Sequence, residues 1–504
     1  MRPLREPFQS FDPFTLSRKT DHRIQERAGR PAPRRPKASC VEDSPFVRDR
    51  RRTGSSRRRR KSDGRRNTLA PVPTRVSRRR MVLHVVALVV ASGAAGYALA
   101  ITIAKSSAPK QTIYELPHGF TVGDPTFLPS ALPSSTMTPG NKLELLENGD
   151  AIFPAMLSAI SSARKTVNFE AYIFWSGDVG ARFRDALAER ATHGVAVRVL
   201  LDAVGSGRRL KASDVDILRR AGCRVEFFHS EMPWMLWVVN HRNHRRVLVV
   251  DGTVGFTGGV GFADQWRGDA DTHEHWRDTQ VRVEGPAVRG LQRAFQENWS
   301  EVTGEALVGD EFFPALLQTG SVSVAVVPSS SLAAMSGAGR VYAISLAAAT
   351  REIWIANSYF LPDETTAALL IAAARRGVDV RVIVPSDQQN DVPSTKAAGR
   401  SSFGPLLEGG VVILEYEPTM FHLKTMVVDG IFSTVGSANF DERSFYLNEE
   451  INLFVYDSAF AGLMKERYQQ DLARCRPYTA AMWRGRPLKQ RLTEWLVAPF
   501  RSEL

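Results

Sequence analysis

Cysteine is nearly absent, with three in 504 residues, at positions 40, 223 and 475, and no CxxC or other ligand spacing. That excludes a disulfide framework and a cysteine-built zinc site, and free thiols are expected. A basic surplus is missing from most of the chain as well. Of the 66 Lys and Arg and 53 Asp and Glu behind the net charge of +13, residues 1–80 hold 25 and 8. The rest therefore carries 41 basic and 45 acidic residues, which argues against a surface that tracks a nucleic-acid backbone. Long apolar runs are also lacking, with one exception: MVLHVVALVVASGAAGYALAITIA at 81–104 holds no charged residue. As a helix it would reach about 36 Å against a hydrocarbon core of about 30 Å, so a single transmembrane helix is expected there.

What is present falls into segments. Residues 1–80, with RRRRKSDGRR and RVSRRR, are too polar to build a core and read as a disordered Arg-rich tail. Basic residues crowd the N-terminal side of the apolar run, so the tail is expected in the cytoplasm and the larger C-terminal part outside it. Met81 offers a second possible start. Residues 105–140, rich in Pro and Ser, read as a linker, and 477–504 carry Leu488, Leu492, Trp495, Leu496 and Phe500 at amphipathic helical spacing. That last segment suits an interfacial helix or simple docking on the domain.

Between linker and C-terminus the chain resembles itself. AISSARKTVNFEAYIF at 159–174 is answered by AISLAAATREIWIANSYF at 343–360, and THGVAVRVLLD at 192–202 by RRGVDVRVIVP at 375–385. Helical stretches alternate with short β-branched runs in both halves, which predicts an α/β fold: tandem α-β-α sandwich domains over 141–318 and 319–476. Each half is expected to supply half of one active site.

The repeat culminates in HRRVLVVDG at 244–252 and HLKTMVVDG at 422–430. Composition alone predicts roughly 0.005 matches to such a pattern in a chain of this length, so two need a shared cause. Period-2 alternation puts His244 and Arg246 on one face of a strand, and likewise His422 and Lys424, while Asp-Gly makes the turn that ends it. Two imidazoles with fixed cations, facing each other, suit a phosphodiester: one attacks phosphorus, the other protonates the leaving oxygen, and the cations hold the developing charge. This chemistry needs no metal and no cofactor.

At this point the sequence resembles the phospholipase D superfamily, whose signature is HxKxxxxD followed by a Gly-rich turn, and within it the bacterial cardiolipin synthases. The second half has His422, Lys424 and Asp429, then GSANFDERSFYLNEE; the first has His244, Arg246 and Asp251, then FTGGVGFADQW and WRDTQVRVEGPAV. The resemblance spans about residues 140–475 and implies a catalytic set of His244, Arg246, Asp251, His422, Lys424 and Asp429. It further implies His244 as nucleophile, His422 as general acid and then base, and Ser437 and Asn439 on phosphate oxygens. An acidic residue orients each histidine: Glu450 matches that position for His422, and Asp278 is the candidate for His244.

Two positions depart from the pattern. Arg246 stands where the family has Lys, a planar fork in place of a compact ammonium, and Gly261 stands where the second half has Asn439. His273 and His275 lack a third ligand at recognisable spacing, and the glycines of GGVGF lack the strand and helix context of a dinucleotide site. MPWMLWVV at 232–239 suits a buried strand or an aromatic lip in lipid. The resemblance, with the anchor, implies an enzyme of the bacterial cell membrane passing a phosphatidyl group from one phosphatidylglycerol to another. Hydrolysis to phosphatidic acid, a nuclease of the same superfamily and an inactive lipid-binding homologue are the alternatives.

Overall fold

The computed structural model describes residues 116–124, 126–131, 136–229, 241–330, 337–386, 389, 391–498 and 500, with positions 92, 93, 95, 96 and 99 in helical conformation. Most of the expected span at 81–104, the whole Arg-rich tail and MPWMLWVV lie outside the described residues. No described helix is long and apolar enough to cross a membrane.

Among the described residues, fifteen strands carry the fold. The first half contributes β1 (Thr138–Glu147), β2 (Thr166–Ala171), β3 (Ala196–Asp202), β4 (Arg224–Phe228), β5 (Val247–Val250), β6 (Val254–Gly258) and β7 (Thr279–Glu284). The second contributes β8 (Val322–Ser329), β9 (Glu352–Asn357), β10 (Asp379–Pro385), β11 (Val412–Tyr416), β12 (Lys424–Val428), β13 (Phe432–Gly436) and β14 (Glu450–Tyr456), with β15 (Cys475–Tyr478) added at its edge. Their lateral order is β15-β11-β10-β9-β12-β13-β14-β8-β1-β7-β6-β5-β2-β3-β4. Leaving β15 aside, the order reads as the same seven-strand arrangement on either side of the β8–β1 junction. The outer strands of each half pair in parallel and are linked by helices Asp178–Thr192 and Ala212–Arg220, or Glu364–Arg375 and Pro393–Glu408. Parallel neighbours need such crossovers, and β-branched runs such as VAVRVLL and VDVRVIV provide strands buried on both faces.

β5 and β12, the strands that follow the histidines, are flanked by neighbours on both sides, β2 and β6 or β9 and β13. All their residues are buried. Val247 and Val249 share one core with Val427, Val435, Ile451 and Leu453, covered by helix Val288–Thr303. The halves thus pack through a common hydrophobic layer, and burying Val or Leu side chains there stabilises by about 1.5–3 kcal/mol each. That layer holds the two histidine-bearing strands in fixed relation.

Cys223 and Cys475 are both free thiols. Asp251 and Asp429 do not converge with the motif histidines. Each follows its strand, about 20 Å along the chain from the motif histidine at strand spacing. Both have φ of 52° and precede a glycine that also lies in the left-handed region, the conformation a tight hairpin turn asks for. The Asp251 carboxylate accepts the backbone N–H groups of Arg164, Lys165 and Thr166, and Asp429 those of Thr350, Arg351 and Glu352. They fasten the turn after each motif strand to the start of β2 or β9.

Candidate active site

His244 and His422 occupy the residues just before β5 and β12, where each motif meets the other half through the backbone. His244 donates its N–H to the carbonyl of Glu449 (2.9 Å), and His422 donates to that of Arg277 (2.8 Å). These bridges are reciprocal, since Glu449 N–H returns to Arg242 and Arg277 N–H to Met420. The residue after each bridging position is an acid. Glu450 therefore accepts from His244 Nδ1 (2.9 Å), and Asp278 accepts from His422 Nδ1 (2.8 Å). The pairing is crossed, the reverse of the assignment drawn from the motif order: Glu450 serves His244 and Asp278 serves His422. Strand β7 starts just after Asp278 and β14 with Glu450, and each runs up to the seam, so the nearest imidazole is the one from across it.

A carboxylate only accepts, so both imidazoles carry hydrogen on Nδ1 and present Nε2 with a lone pair. At His244 that lone pair accepts from Arg246 Nη2 (2.9 Å), while Nη1 donates to the His244 carbonyl (2.7 Å). Among the described residues the buried Arg246 Nε has no hydrogen-bond partner. Lys424 Nζ donates to the His422 carbonyl (2.9 Å) and to Ser358 Oγ (2.8 Å), 3.2 Å from His422 Nε2. Each motif thus lays its cation beside its own histidine, and the arginine, with a longer fork, reaches the ring nitrogen itself.

The site is deeply buried, His244 being 7% and His422 3% exposed. Burial, then the charges of Arg246 and Lys424, hold the His244 imidazole well below its usual range. Burial and Lys424 bring His422 down to about 3 against the pull of Asp278. Burial lowers Lys424 to about 7 and raises Glu450 to about 7, whereas Asp278 is lowered because His422 and Lys424 outweigh its desolvation. Cations of both halves act on both rings, which puts the histidines in one electrostatic site.

Ser437 and Asn439 divide. Ser437 is fully buried and donates to Glu450, together with Ser444 Oγ (2.8 Å) and Asn448 Nδ2 (3.3 Å). It holds the carboxylate that holds His244. Asn439 accepts from Ser358 Oγ (3.1 Å), the hydroxyl that receives Lys424, so it belongs to the cationic wall.

The first half solves the same problem with different residues. A constant offset of 178 positions relates His244 to His422, Arg246 to Lys424, Gly261 to Asn439 and Trp266 to Ser444. Trp266 Nε1 donates to Asp278 (2.7 Å), as Ser444 does to Glu450, and its ring meets that of His422 edge-on at 5.1 Å. A Cβ on Gly261 would come within 2.8 Å of that indole, so the counterpart of Asn439 is a glycine because Trp266 fills the space. Trp266 and Ser358 were not legible as site residues from the motifs; the 178-position offset was the signal that could have found Trp266. Tyr172 packs edge-on to His244 at 4.8 Å and Trp276 lies 5.5 Å from His422.

His273 is exposed beside Glu274, His275 is half-buried beside Asp271, and among the described residues no three His, Cys, Asp or Glu side chains converge as metal ligands. Arg245, alternating to the far side of His244, bonds Glu449 (2.8 Å) and Glu297 (3.1 Å), and Arg277 bonds Asp471 (2.9 Å) and Glu147. Both tie the seam beside the histidines.

Comparisons with known proteins agree with this architecture. The family model described as "Cardiolipin synthase, PLD-like domain" matches twice, over residues 156–299 and 342–472. A cardiolipin synthase of Geobacillus thermodenitrificans (strain NG80-2) is 35% identical over 353 residues, 69% of this chain and 70% of that one. Cardiolipin synthase 2 of Bacillus anthracis is 35% identical over 352 residues, 69% of this chain and 68% of that one. In fold, the crystal structure of phosphatidylserine synthase from Haemophilus influenzae Rd KW20 is similar with a TM-score of 0.56 at 14% identity, covering 76% of this chain and all of that one. With both matched segments contributing a histidine to one site, the chain belongs to the phospholipase D superfamily, among its cardiolipin synthase-like phosphatidyltransferases.

Proposed function

We propose that this protein transfers the phosphatidyl group of one phosphatidylglycerol to a second through a phosphohistidine at His244, releasing glycerol. The observation that carries the reading is the crossed carboxylate–histidine pairing, with a fixed cation on each imidazole and an Arg246 N–H that has no partner among the described residues. A phosphodiester anion entering the seam draws the guanidinium off Nε2 and frees the lone pair. It also offsets the burial and cationic terms that keep the imidazoles neutral, so His422 can take up the proton it must deliver. His244 Nε2 then bonds phosphorus as the P–O bond to glycerol breaks, and His422 Nε2–H protonates the departing oxygen. In the second step His422 removes the proton from the glycerol hydroxyl of another lipid, that oxygen bonds phosphorus, and the N–P bond breaks. Four cations, Arg246, Lys424, Arg242 and Arg443, act to keep His244 neutral, which suits the nucleophile. His422 faces an Asp278 lowered in pKa and therefore ionised, which suits a ring that must become imidazolium.

Membrane anchorage through 81–104 is part of the same proposal, because tethering concentrates the site at the bilayer surface. Helix Leu488–Val497 is consistent with it: Leu488 (79%) and Leu492 (57%) are exposed while Glu494 is tucked inward against Arg486. With phosphatidylglycerol in detergent as sole lipid, mass spectrometry is expected to find cardiolipin and glycerol. Phosphatidic acid as the single lipid product would replace transfer by hydrolysis.

The pH dependence follows from two groups. Glu450 must be ionised to accept from His244, so kcat/KM falls as pH drops through about 7. Lys424 must be protonated to hold the phosphate, so it also falls as pH rises through about 7. A narrow bell is expected for the free enzyme, and Lys424→Arg should move its alkaline limb upward. An alkaline limb left in place by that substitution would assign it to another group.

A further inference from the structure

Behind Trp276, which packs against His422, the first half carries an open cleft of about 580 Å³ that the steps above do not use. Trp175, Arg209, Gln265, Arg267 and Trp276 line it, and Trp276 is also the ring packed 5.5 Å from His422, so one wall of the cavity backs onto the proton-transfer residue. Five charged or titratable side chains face it, and four are engaged. Asp264 accepts the N–H groups of Asp178 and Val179, Arg267 pairs with Asp178, Glu274 neighbours His273, and His275 pairs with Asp271. Arg209 is different. Its guanidinium stacks on Trp175 at 4.0 Å and, among the described residues, makes no side-chain hydrogen bond or ion pair. Its charge nevertheless acts on Asp391, the carboxylate that accepts from Tyr359, whose ring is 6.0 Å from His422. Arg209 thus lies over Trp175 in the cleft behind Trp276, and among the described residues its donors meet no side-chain partner.

We infer that this cavity is the subsite for the acceptor lipid, and that Arg209 takes the phosphate of the second phosphatidylglycerol. The inference rests on the transferase reading. In that reaction the acceptor hydroxyl must reach His422, which deprotonates it, so the acceptor arrives on this side. It differs from competing water in carrying a second phosphate one glycerol away from the reacting oxygen. A guanidinium already placed over an indole loses little freedom on binding a phosphate and matches two of its oxygens. That contact retains the lipid while water gains nothing from it, which turns a mechanism indifferent to its acceptor into one that favours transfer.

The test uses the full chain in mixed micelles, with phosphatidylglycerol as donor and glycerol 3-phosphate competing with glycerol as acceptors. The wild type is expected to prefer the phosphorylated acceptor, Arg209→Gln to lose about tenfold of that preference, and Arg209→Lys, which keeps the charge without the planar fork, to retain only part of it. With lipid alone, the cardiolipin to phosphatidic acid ratio should fall in parallel for Arg209→Gln. Competition ratios are insensitive to how much of a variant folds, so a merely structural role would leave both ratios at the wild-type value, and that result would overturn the subsite while leaving transfer intact. A wild type that forms no transfer product from any alcohol would instead remove the transferase reading, and the subsite with it.

Discussion

His422→Ala is expected to lower kcat/KM for phosphatidylglycerol by about a thousandfold, or about 4 kcal/mol in the barrier, because the glycerol oxygen must then leave without a proton. The same variant should still be phosphatidylated at His244 by a donor whose leaving group needs no proton, such as a nitrophenyl phosphodiester. The adduct should accumulate, since nothing remains to activate the acceptor. Intact-protein mass spectrometry after a short incubation measures it. His244→Ala, lacking the nucleophile, should show no adduct with either donor. An adduct in His244→Ala and none in His422→Ala would exchange the two roles, against the four cations that act on His244 and the ionised Asp278 that faces His422.

Glu450→Gln and Asp278→Asn are expected to fail at different steps, each by about a hundredfold or more, since an amide removes the charge that fixes the Nδ1–H tautomer of its histidine. Glu450→Gln should slow adduct formation at His244. Asp278→Asn should allow it from the activated donor and slow its discharge to the acceptor. Rapid quench with mass detection separates the two steps. If each acid served the histidine of its own half, the two phenotypes would trade places, so the experiment reads the crossed pairing in solution. Ser437 and Ser444, which donate to Glu450, stand behind the first effect, and Trp266, which donates to Asp278, behind the second.

Much of this was open to inspection in the chain itself. The doubled HxKxxxxD-type motif placed each imidazole and its cation on one strand face by alternation alone, and the self-similar flanks announced two copies of one α/β unit. The motif aspartates were misleading because a spacing shows that a residue belongs to a pattern without showing what it touches. Asp251 and Asp429 turn out to clasp backbone N–H groups at the far end of their strands. Ser437 misled in a similar way, since its place in a Gly-rich turn suggests phosphate contact while its burial directs it to Glu450.

The Gly261 departure shows the same limit from the other side. Read along the chain, it is a lost phosphate ligand; in three dimensions it makes room for an indole that supports the opposite histidine. Residue types, strand alternation and the repeat are local properties, and the sequence by itself determined them: two cationic histidine strands, a near-neutral catalytic part behind an Arg-rich tail, and chemistry suited to a phosphodiester. The two pairings of carboxylate with imidazole depend on contacts across a seam between segments 144 and 206 residues apart. Only the tertiary structure decided those, because the shared core of the two halves, and no feature of either motif, sets the angle at which their strand ends meet.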